Sequence, residues 1–365
     1  MAQSNSKSDR GRSRADFRKV STPPSYRARL AEMSFPHVTL FLSAAFCCTF
    51  AQEAAVQFRA SSRLVLVPVQ VSDAAGKTIE SLTEADFELY DRGVMRKFRL
   101  EPENAPLSVV VAVQTGTVAG PALAKVQKVG SLLQPLVAGE RGQVAVLGYS
   151  DRVTLRQDFT SDGGKIVETF RAIEPDGDGG AMHDAVLQAV EMLEKRPAGR
   201  RRVLIVVGEG KDRSSKAKLE TAVSKAQEAN VTVYPVSFSA YATAFTSRGD
   251  ERFGSSGKRV YNAGSGMNIL AVLREIARSG SQNSHEALAK YTGGMRVSFA
   301  KLKGLEDALQ RIGADLHTQY LLSFQPLSED KGDALVYREL RIRVRGVSQG
   351  TQIRHRPGYW QTTAE

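Results

Sequence analysis

The chain has 365 residues, which is long enough for one large or two ordinary domains. Its hydrophobic share of 42% and charged share of 24% are those of a globular protein. Residues 1–32 hold eight basic and three acidic residues, so they carry +5 of the net charge of +11. The remaining +6 is too small to indicate nucleic-acid binding. We assign the basic clusters Arg200–Arg202 and Arg338–Arg345 to a helix–strand junction and to the solvated face of a strand.

The first fifty residues predict export from the cytoplasm. Residues 1–32 are rich in Ser and Arg, and we expect them to be disordered, or untranslated if translation starts at Met33 instead of Met1. The apolar run Val38–Phe50 follows basic residues and precedes small ones, which is typical of a signal peptide at 33–51. The run is too short to predict a transmembrane span. We therefore expect a secreted or periplasmic protein, with release or lipid anchoring left open.

Both cysteines, Cys47 and Cys48, fall inside the expected signal peptide. A lipid anchor on either of them has weak support, because Phe46 and Cys47 stand at the preceding position, where small residues are expected. The expected mature chain would carry no cysteine, which excludes a disulfide, a thiolate metal site and a cysteine nucleophile.

Residues 56–104 predict a small β-rich unit. Phe58–Val71 alternates in the manner of a strand, and Asp73–Lys77 predicts a turn. Thr83–Phe87 predicts a capped helical turn, and Glu88–Leu100 predicts a hairpin.

Residues 105–318 predict an α/β domain, because strands and helices alternate along the chain. The first strand is an uninterrupted apolar run, typical of a strand buried on both faces of a parallel sheet. The predicted strands are Ser108–Val113, Gln143–Tyr149, a more exposed Val153–Gln157, Arg202–Val207, Thr232–Phe238 and Met295–Phe299. The predicted helices are Ala122–Leu136, Gly164–Ile173, Ala181–Lys195, Lys216–Ala229, Ile269–Arg278, Ser284–Tyr291 and Leu305–Leu316. This pattern predicts right-handed crossovers and a doubly wound, mostly parallel sheet.

The last strands return to a β pattern after a long polar insertion at 239–268, whose role the sequence leaves open. Residues 319–360 hold the predicted strands Gln319–Gln325, Tyr337–Val344 and Ile353–Tyr359. Because the two ends of a domain commonly lie close together, we expect these strands to pair with the N-terminal unit. The expected fold class is therefore α/β, with a small β-sandwich-like unit formed by the N- and C-terminal segments.

Several short pieces of the chain are familiar in their order and spacing. They are Val69–Lys77, Leu82–Leu89, Pro106–Val110, Val203–Val207, Tyr291–Gly294, Gln319–Pro326 and Pro357–Tyr359. The α/β portion resembles a von Willebrand factor type A domain. More narrowly, Met33–Trp360 resembles the secreted VWFA-related proteins that are abundant in acidobacteria. The resemblance implies a doubly wound sheet and an extracytoplasmic role.

In type A domains, the top of the sheet often binds protein ligands through a divalent cation. The resemblance implies Asp-x-Ser-x-Ser after the first strand, a Thr in a middle loop and an Asp after the fourth strand. In this chain the corresponding positions hold Gln114, Gly116, Val118, Gly180 and Glu209. Since Mg²⁺ requires hard oxygen ligands, one amide and one lengthened carboxylate are too few. We expect a metal-independent or very weakly metal-binding domain without a cofactor, in which this loop is either vestigial or binds a partner directly.

Other chemistry has little support in the sequence. Asp176–Gly180 begins like an EF-hand loop, but its twelfth position is Leu187, so we predict a turn that caps the following helix. The histidines of the expected mature chain share no ligand spacing, and we interpret His183 as a hydrogen-bonded residue at a helix start. No Gly-x-Ser-x-Gly motif follows a strand, so we expect no enzyme.

The preferred function is a secreted or periplasmic protein-binding module. The predicted binding face lies on the loops that follow the strands and consists of Gln114, Thr115, Thr117, Asp184 and Glu209. We expect a protein partner in the envelope or outside the cell, and neither nucleic acid nor a membrane span after cleavage. The first alternative is an envelope assembly protein that acts through its β unit. A metal-dependent adhesion protein and an enzyme are more distant alternatives.

Overall fold

A computed structural model describes residues 64–102, 104–238, 269–326 and 335–362. The expected leader (1–32), signal peptide (33–51) and insertion (239–268) lie outside the described residues. No helix in the described ranges is long and apolar enough to cross a membrane.

The strands and helices are numbered in chain order. The strands are β1 (Val65–Ser72), β2 (Phe87–Asp91), β3 (Val94–Arg96), β4 (Arg99–Leu100), β5 (Leu107–Gln114), β6 (Gln143–Tyr149), β7 (Val153–Thr160), β8 (Arg201–Gly208), β9 (Val231–Phe238), β10 (Val297–Phe299), β11 (Tyr320–Phe324), β12 (Leu335–Val344), β13 (Gln352–His355) and β14 (Gly358–Thr362). The longer helices are α1 (Gly120–Val126), α2 (Gly163–Arg171), α3 (Met182–Glu194), α4 (Leu219–Glu228), α5 (Ile269–Thr292) and α6 (Leu302–Thr318). Shorter helical turns cover Glu84–Asp86, Thr117–Ala119, Gly130–Leu132 and Leu133–Ala138.

The central sheet has the strand order β10-β9-β8-β5-β6-β7. All neighbouring pairs are parallel except β6 and β7, which pair in antiparallel register at the edge of the sheet. Strand β5 lies inside the sheet, and all eight of its residues are buried. The fold class predicted from the sequence, a doubly wound and mostly parallel α/β sheet, is confirmed.

Successive residues of β5 enter two different hydrophobic cores, as the period of two along a strand requires. Val109 and Val111 belong to the core that includes apolar residues of α1, α2 and α6. Val110 and Ala112 belong to the opposite core, which includes residues of α3, α4 and α5. Helices therefore cover both faces of the sheet, which explains why its strands are apolar throughout.

The two ends of the described chain form a pair of antiparallel sheets. One has the order β13-β1-β11-β4 and the other has the order β14-β12-β2-β3. Their facing side chains share one hydrophobic core, which contains Val67 and Val69 of β1 as well as Leu89 of β2 and Ile342 of β12. The last predicted strand is in fact two strands, because the chain passes from one sheet to the other at Pro357, which has no N–H to donate.

Two further expectations differ from the structure. The predicted helix at 122–136 is interrupted after Val126 and ends in a π-helical turn that contains Pro135, since proline removes a helical hydrogen bond. Arg338 does not lie on a solvated strand face, because its side chain is 1% exposed and lies 3.9 Å from the Asp91 carboxylate. A strand pattern alone does not reveal a buried ion pair.

Asp315 on α6 links the central sheet to the paired strands of the chain ends. This carboxylate is 7% exposed and accepts a hydrogen bond from Tyr234 Oη of β9 at 2.8 Å. It also forms an ion pair with Arg354 of β13. A third contact comes from Gln319, whose Nε2 lies 3.4 Å away and whose Oε1 accepts from Arg201 of β8. One buried carboxylate thus contacts groups from both parts of the fold.

We predict that Asp315→Ala lowers the free energy of unfolding by about 3–5 kcal/mol, because it leaves Arg354 and Tyr234 without their buried acceptor. Asp307→Ala on the same helix is the matched control, since Asp307 is half exposed and its ion pair among the described residues is with the exposed Lys303. We expect the control to change stability by less than about 0.5 kcal/mol. Urea denaturation followed by circular dichroism measures both, and equal losses would contradict the assignment.

Candidate functional site

Loops from four segments meet at the carboxyl edge of the central sheet, where open α/β sheets bind their ligands. They are residues 114–119 after β5, 149–152 after β6, 174–181 before α3 and 208–218 after β8. We call this surface the upper edge. Backbone hydrogen bonds join the first and third of these loops, from Asp176 N to Thr115 O and from Thr117 N to Gly177 O.

Gln114 occupies the centre of the upper edge and is 1% exposed. Its Oε1 accepts a hydrogen bond from the backbone N–H of Glu209 at 2.8 Å. A Cβ placed on Gly180 would lie 3.2 Å from the Gln114 Nε2, so this loop residue packs directly against the amide. Among the described residues, that Nε2 has no hydrogen-bond acceptor. The amide therefore acts as an internal link between β5 and the loop after β8.

The glycines of the upper edge allow two loops to lie against each other. A Cβ on Gly116 would overlap the carbonyl oxygen of Gly179, which belongs to the backbone and cannot move without its loop. Gly179 in turn lies between the side chains of Asp151 and Ser214, and Gly177 has a φ of 73°, a conformation that favours glycine. These contacts explain why the loop is rich in glycine.

The loop 176–180 does not cap helix α3 through its side chains, contrary to our expectation. Instead, Asp178 Oδ1 accepts a hydrogen bond from Thr117 Oγ1 at 2.7 Å, and Asp176 lies 3.4 Å from Arg156. The N-terminus of α3 is satisfied by the loop after β8. There, Asp212 accepts from the backbone N–H of His183 at 2.9 Å.

Asp184 completes a reciprocal connection between α3 and the loop after β8. Its own backbone N–H donates to Ser215 Oγ at 3.1 Å. Its carboxylate accepts from the backbone N–H groups of Lys216 and Ala217 at 3.0 and 2.9 Å. Because both elements supply donors and acceptors, the loop is fixed to the helix by several short-range bonds.

Glu209 is engaged in an ion pair with Arg213, in which the two side chains approach to 2.8 Å. The Glu209 side chain is only 15% exposed, whereas that of Arg213 is 47% exposed. The backbone N–H of Arg213 also donates to Gly180 O at 3.2 Å. The guanidinium is thus held beside the positions where the sequence resemblance implies a metal ion.

The five residues of the predicted binding face have different environments. Thr117 is exposed, but Gln114 and Thr115 are each 1% exposed and cannot contact a partner in this conformation. The carboxylates of Asp184 and Glu209 are already bonded to the loop after β8. Sequence reasoning placed all five at one edge of the sheet but could not indicate which side chains point outward.

The residues at the implied metal positions do not fit a divalent cation. Gln114, Gly116, Val118, Gly180 and Glu209 supply one carboxylate, and Arg213 already neutralises it. Within the described ranges, no group of three or more His, Cys, Asp and Glu side chains could hold a metal ion. The oxygen ligands that Mg²⁺ prefers are therefore lacking at this point of the upper edge.

Two serine–histidine pairs lie next to the upper edge, although their members are far apart in sequence. His183 Nε2 lies 3.1 Å from Ser284 Oγ, while its Nδ1 lies 3.2 Å from Ala217 O. His285 Nδ1 lies 2.8 Å from Ser237 Oγ, and burial lowers the pKa of His285 to about 3. Ser284 is 3% exposed, so no substrate reaches it in this conformation. No sequence spacing could have indicated these pairs.

The comparison with known families agrees with this geometry. Residues 123–285 match the von Willebrand factor type A domain. A search of curated proteins found no match.

Several solved structures are similar in fold at low sequence identity. The conserved hypothetical protein BatB from Bacteroides thetaiotaomicron is 15% identical, covers 57% of this chain and 98% of its own, and gives a TM-score of 0.41. An aerotolerance-related membrane protein from Bacteroides fragilis is 14% identical, with coverage of 57% and 98% and a TM-score of 0.39. The vWF domain of the type V pili tip protein Mfa5 from Porphyromonas gingivalis is 11% identical, with coverage of 57% and 94% and a TM-score of 0.38.

The sheet order and the helices on both faces agree with the family match, which covers residues 123–285 and less than half of the chain. This part of the chain is similar to a von Willebrand factor type A domain.

Proposed function

We propose that the chain is a non-enzymatic protein-binding module that acts outside the cytoplasm and needs no metal ion. The observation that carries the proposal lies at the upper edge, where a type A domain would bind a metal ion. Its implied metal positions are occupied by internal contacts, namely the Gln114 amide on Glu209 N–H and the Glu209–Arg213 ion pair. The surface around them remains available to a partner.

The loops of the upper edge are held in place by hydrogen bonds, which supports direct binding of a protein partner without a cation. Thr117 is exposed, yet its hydroxyl and N–H are both bonded to the neighbouring loop 176–180. The loop after β8 is bonded to α3 through Asp184 and Asp212. Loops that are already held in place lose little conformational entropy when a partner binds. The upper edge therefore offers a pre-organised surface without a cation.

The serine–histidine pairs do not favour an enzyme. A hydrolase needs a nucleophile that meets its substrate, and Ser284 of α5 is only 3% exposed, with its backbone N–H bonded to Gly210 O of the loop after β8. The pKa of His285 is lowered by its burial, which makes its ring a weak base near neutral pH. The extracytoplasmic location rests on the expected signal peptide at 33–51.

A second candidate function, assembly through the β unit, is favoured by one observation. Val94 and Met95 of β3 are each 57% exposed, and β3 lies at the edge of its sheet. An edge strand with apolar side chains can pair with another chain. This surface is small, and we rank it below the upper edge.

Metal independence is tested by calorimetry with MgCl₂ and MnCl₂. We expect no saturable heat and a thermal midpoint that is the same in EDTA and in millimolar metal, because ligand binding to the native state would raise it. A saturable heat that disappears in Glu209→Ala would refute metal independence.

A second test examines the packing of loop 176–180 over Gly116, by introducing the serine that the implied metal motif has at this position. Gly116→Ser should lower the free energy of unfolding by about 1–3 kcal/mol, because its Cβ overlaps the Gly179 carbonyl. Gly120→Ser is the control, since nothing lies within 4 Å of a Cβ at that position. Denaturant melts compare the two variants. Equal stability would show that loop 176–180 does not lie over Gly116.

The location of the binding surface is tested by chemical crosslinking to proteins of an envelope fraction. Thr117→Tyr should reduce the crosslinked species seen with the unaltered chain, because it adds bulk at the exposed point of the upper edge. Ala124→Tyr on the exposed side of α1 should leave them unchanged. If Val94→Lys with Met95→Lys removes them instead, the β unit is the contact surface and the upper edge is not.

A further inference from the structure

In the loop after β8, the basic side chains are exposed and the acidic side chains are largely buried. Residues 211–218, which we call the cationic loop, contain four basic residues and one acidic residue, and they follow Glu209. Lys211, Arg213, Lys216 and Lys218 are exposed. The two acidic side chains turn inward, since Glu209 is 15% and Asp212 is 14% exposed. The surface of the loop is therefore strongly positive, although its sequence is mixed.

The two largely buried carboxylates, Asp212 and Glu209, are bonded to groups within the protein. Asp212 accepts hydrogen bonds from Ser215 N at 3.0 Å and from His183 N at 2.9 Å, and it lies 3.6 Å from the His183 ring. Glu209 faces Arg213, whose guanidinium has donors left for a further acceptor because its side chain is 47% exposed. Lys211, Lys216 and Lys218 form no ion pair with any described residue.

We propose that the partner of this chain presents an acidic peptide segment with at least two carboxylates to the cationic loop. The inference rests on the proposed function and specifies its partner chemistry. Arg213 accepts one carboxylate on its open edge, and the neighbouring lysines attract the second. The guanidinium of Arg213 provides the positive charge at this edge of the sheet, where the resemblance implies a metal ion.

The backbone of the cationic loop is held in place, which distinguishes it from an ordinary solvated lysine loop. Asp184 fixes Lys216 and Ala217 through their N–H groups, and Arg213 N donates to Gly180 O. Ser214 Oγ accepts from Gly180 N at 2.9 Å. Because the backbone is already ordered, the charges are presented at set positions, and less entropy is lost on binding.

Two acidic side chains lie at the border of this positive surface. Asp151 and Asp178 are exposed, and both belong to the neighbourhood of loop 176–180, since Asp178 N donates to Asp151 Oδ2 at 3.2 Å. They repel a carboxylate that approaches loop 176–180, whereas the basic side chains of the cationic loop attract it.

A protein carboxylate fits this surface better than a nucleic acid does. Residues 208–218 contain no aromatic side chain on which a base could stack. The charge outside the leader is only modestly positive. Phosphate-bearing ligands are outcomes of the test below.

The test is fluorescence anisotropy of the full chain with a labelled peptide of alternating Glu and Gly, against the same peptide with Gln. We expect binding of the Glu peptide only, weakened by raising NaCl from about 50 to about 300 mM. The variant Lys211→Glu/Lys216→Glu/Lys218→Glu should weaken binding at least about tenfold. It leaves Arg213 and every bonded carboxylate of the loop unchanged.

The matched control is Lys77→Glu/Lys128→Glu/Lys165→Glu, which alters three exposed lysines elsewhere and changes the net charge equally. It should bind the Glu peptide within about twofold of the unaltered chain. Equal weakening in both variants would show attraction by net charge alone and overturn the proposal. So would loop-dependent binding of inorganic polyphosphate without binding of the Glu peptide.

Thermal melts of both triple variants establish that they fold. The crosslinking assay separates this inference from the proposed function. If Thr117→Tyr abolishes crosslinking while the Glu peptide does not bind, the upper edge is a binding surface and the acidic partner is wrong. If neither effect occurs, both proposals are wrong.

Discussion

The close approach of two loop backbones, at Gly116 and Gly179, is the constraint on which the upper edge depends. A side chain at position 116 would occupy the space of the Gly179 carbonyl, so the two loops meet only because residue 116 lacks a Cβ. This contact places loop 176–180 over the end of β5 and leaves Gln114 buried beneath it. The same edge of the sheet that could be an open cation site is thereby a closed, hydrogen-bonded surface.

The charges of the upper edge follow from that closure. Carboxylates that do not meet a cation become structural acceptors, and Asp184, Asp212 and Glu209 each accept hydrogen bonds or an ion pair from the loop after β8 or from the start of α3. A carboxylate bonded to backbone N–H groups satisfies donors that a helix or loop otherwise exposes. The basic side chains of the same loop are left outside. Any partner that recognises this edge meets cations on the β8 side.

The strands at the two ends of the described chain pack against the α/β domain and contact it through Asp315. Strand β1 is more than 200 residues away in sequence from β11 and β13, yet the three strands share one sheet. Asp315 connects that sheet to β9 through Arg354 and Tyr234. A buried carboxylate of this kind contributes little net stability by itself, but removing it leaves a buried charge without a partner. The central sheet and the β unit are thus joined by polar contacts as well as by packing.

The sequence by itself determined the order of strands and helices, because uninterrupted apolar runs such as Leu107–Gln114 and helical periodicity are local signals. It also placed Gln114, Gly116 and Glu209 at the ends of strands, at the positions where the resemblance implies metal ligands. Only the tertiary structure decided which side chains of that edge are accessible. Burial depends on contacts between loops distant in sequence, such as Gly179 on Gly116, and the serine–histidine pairs and the outward cationic loop arise in the same way. Side-chain direction in a loop has no sequence period, so no pattern could supply it.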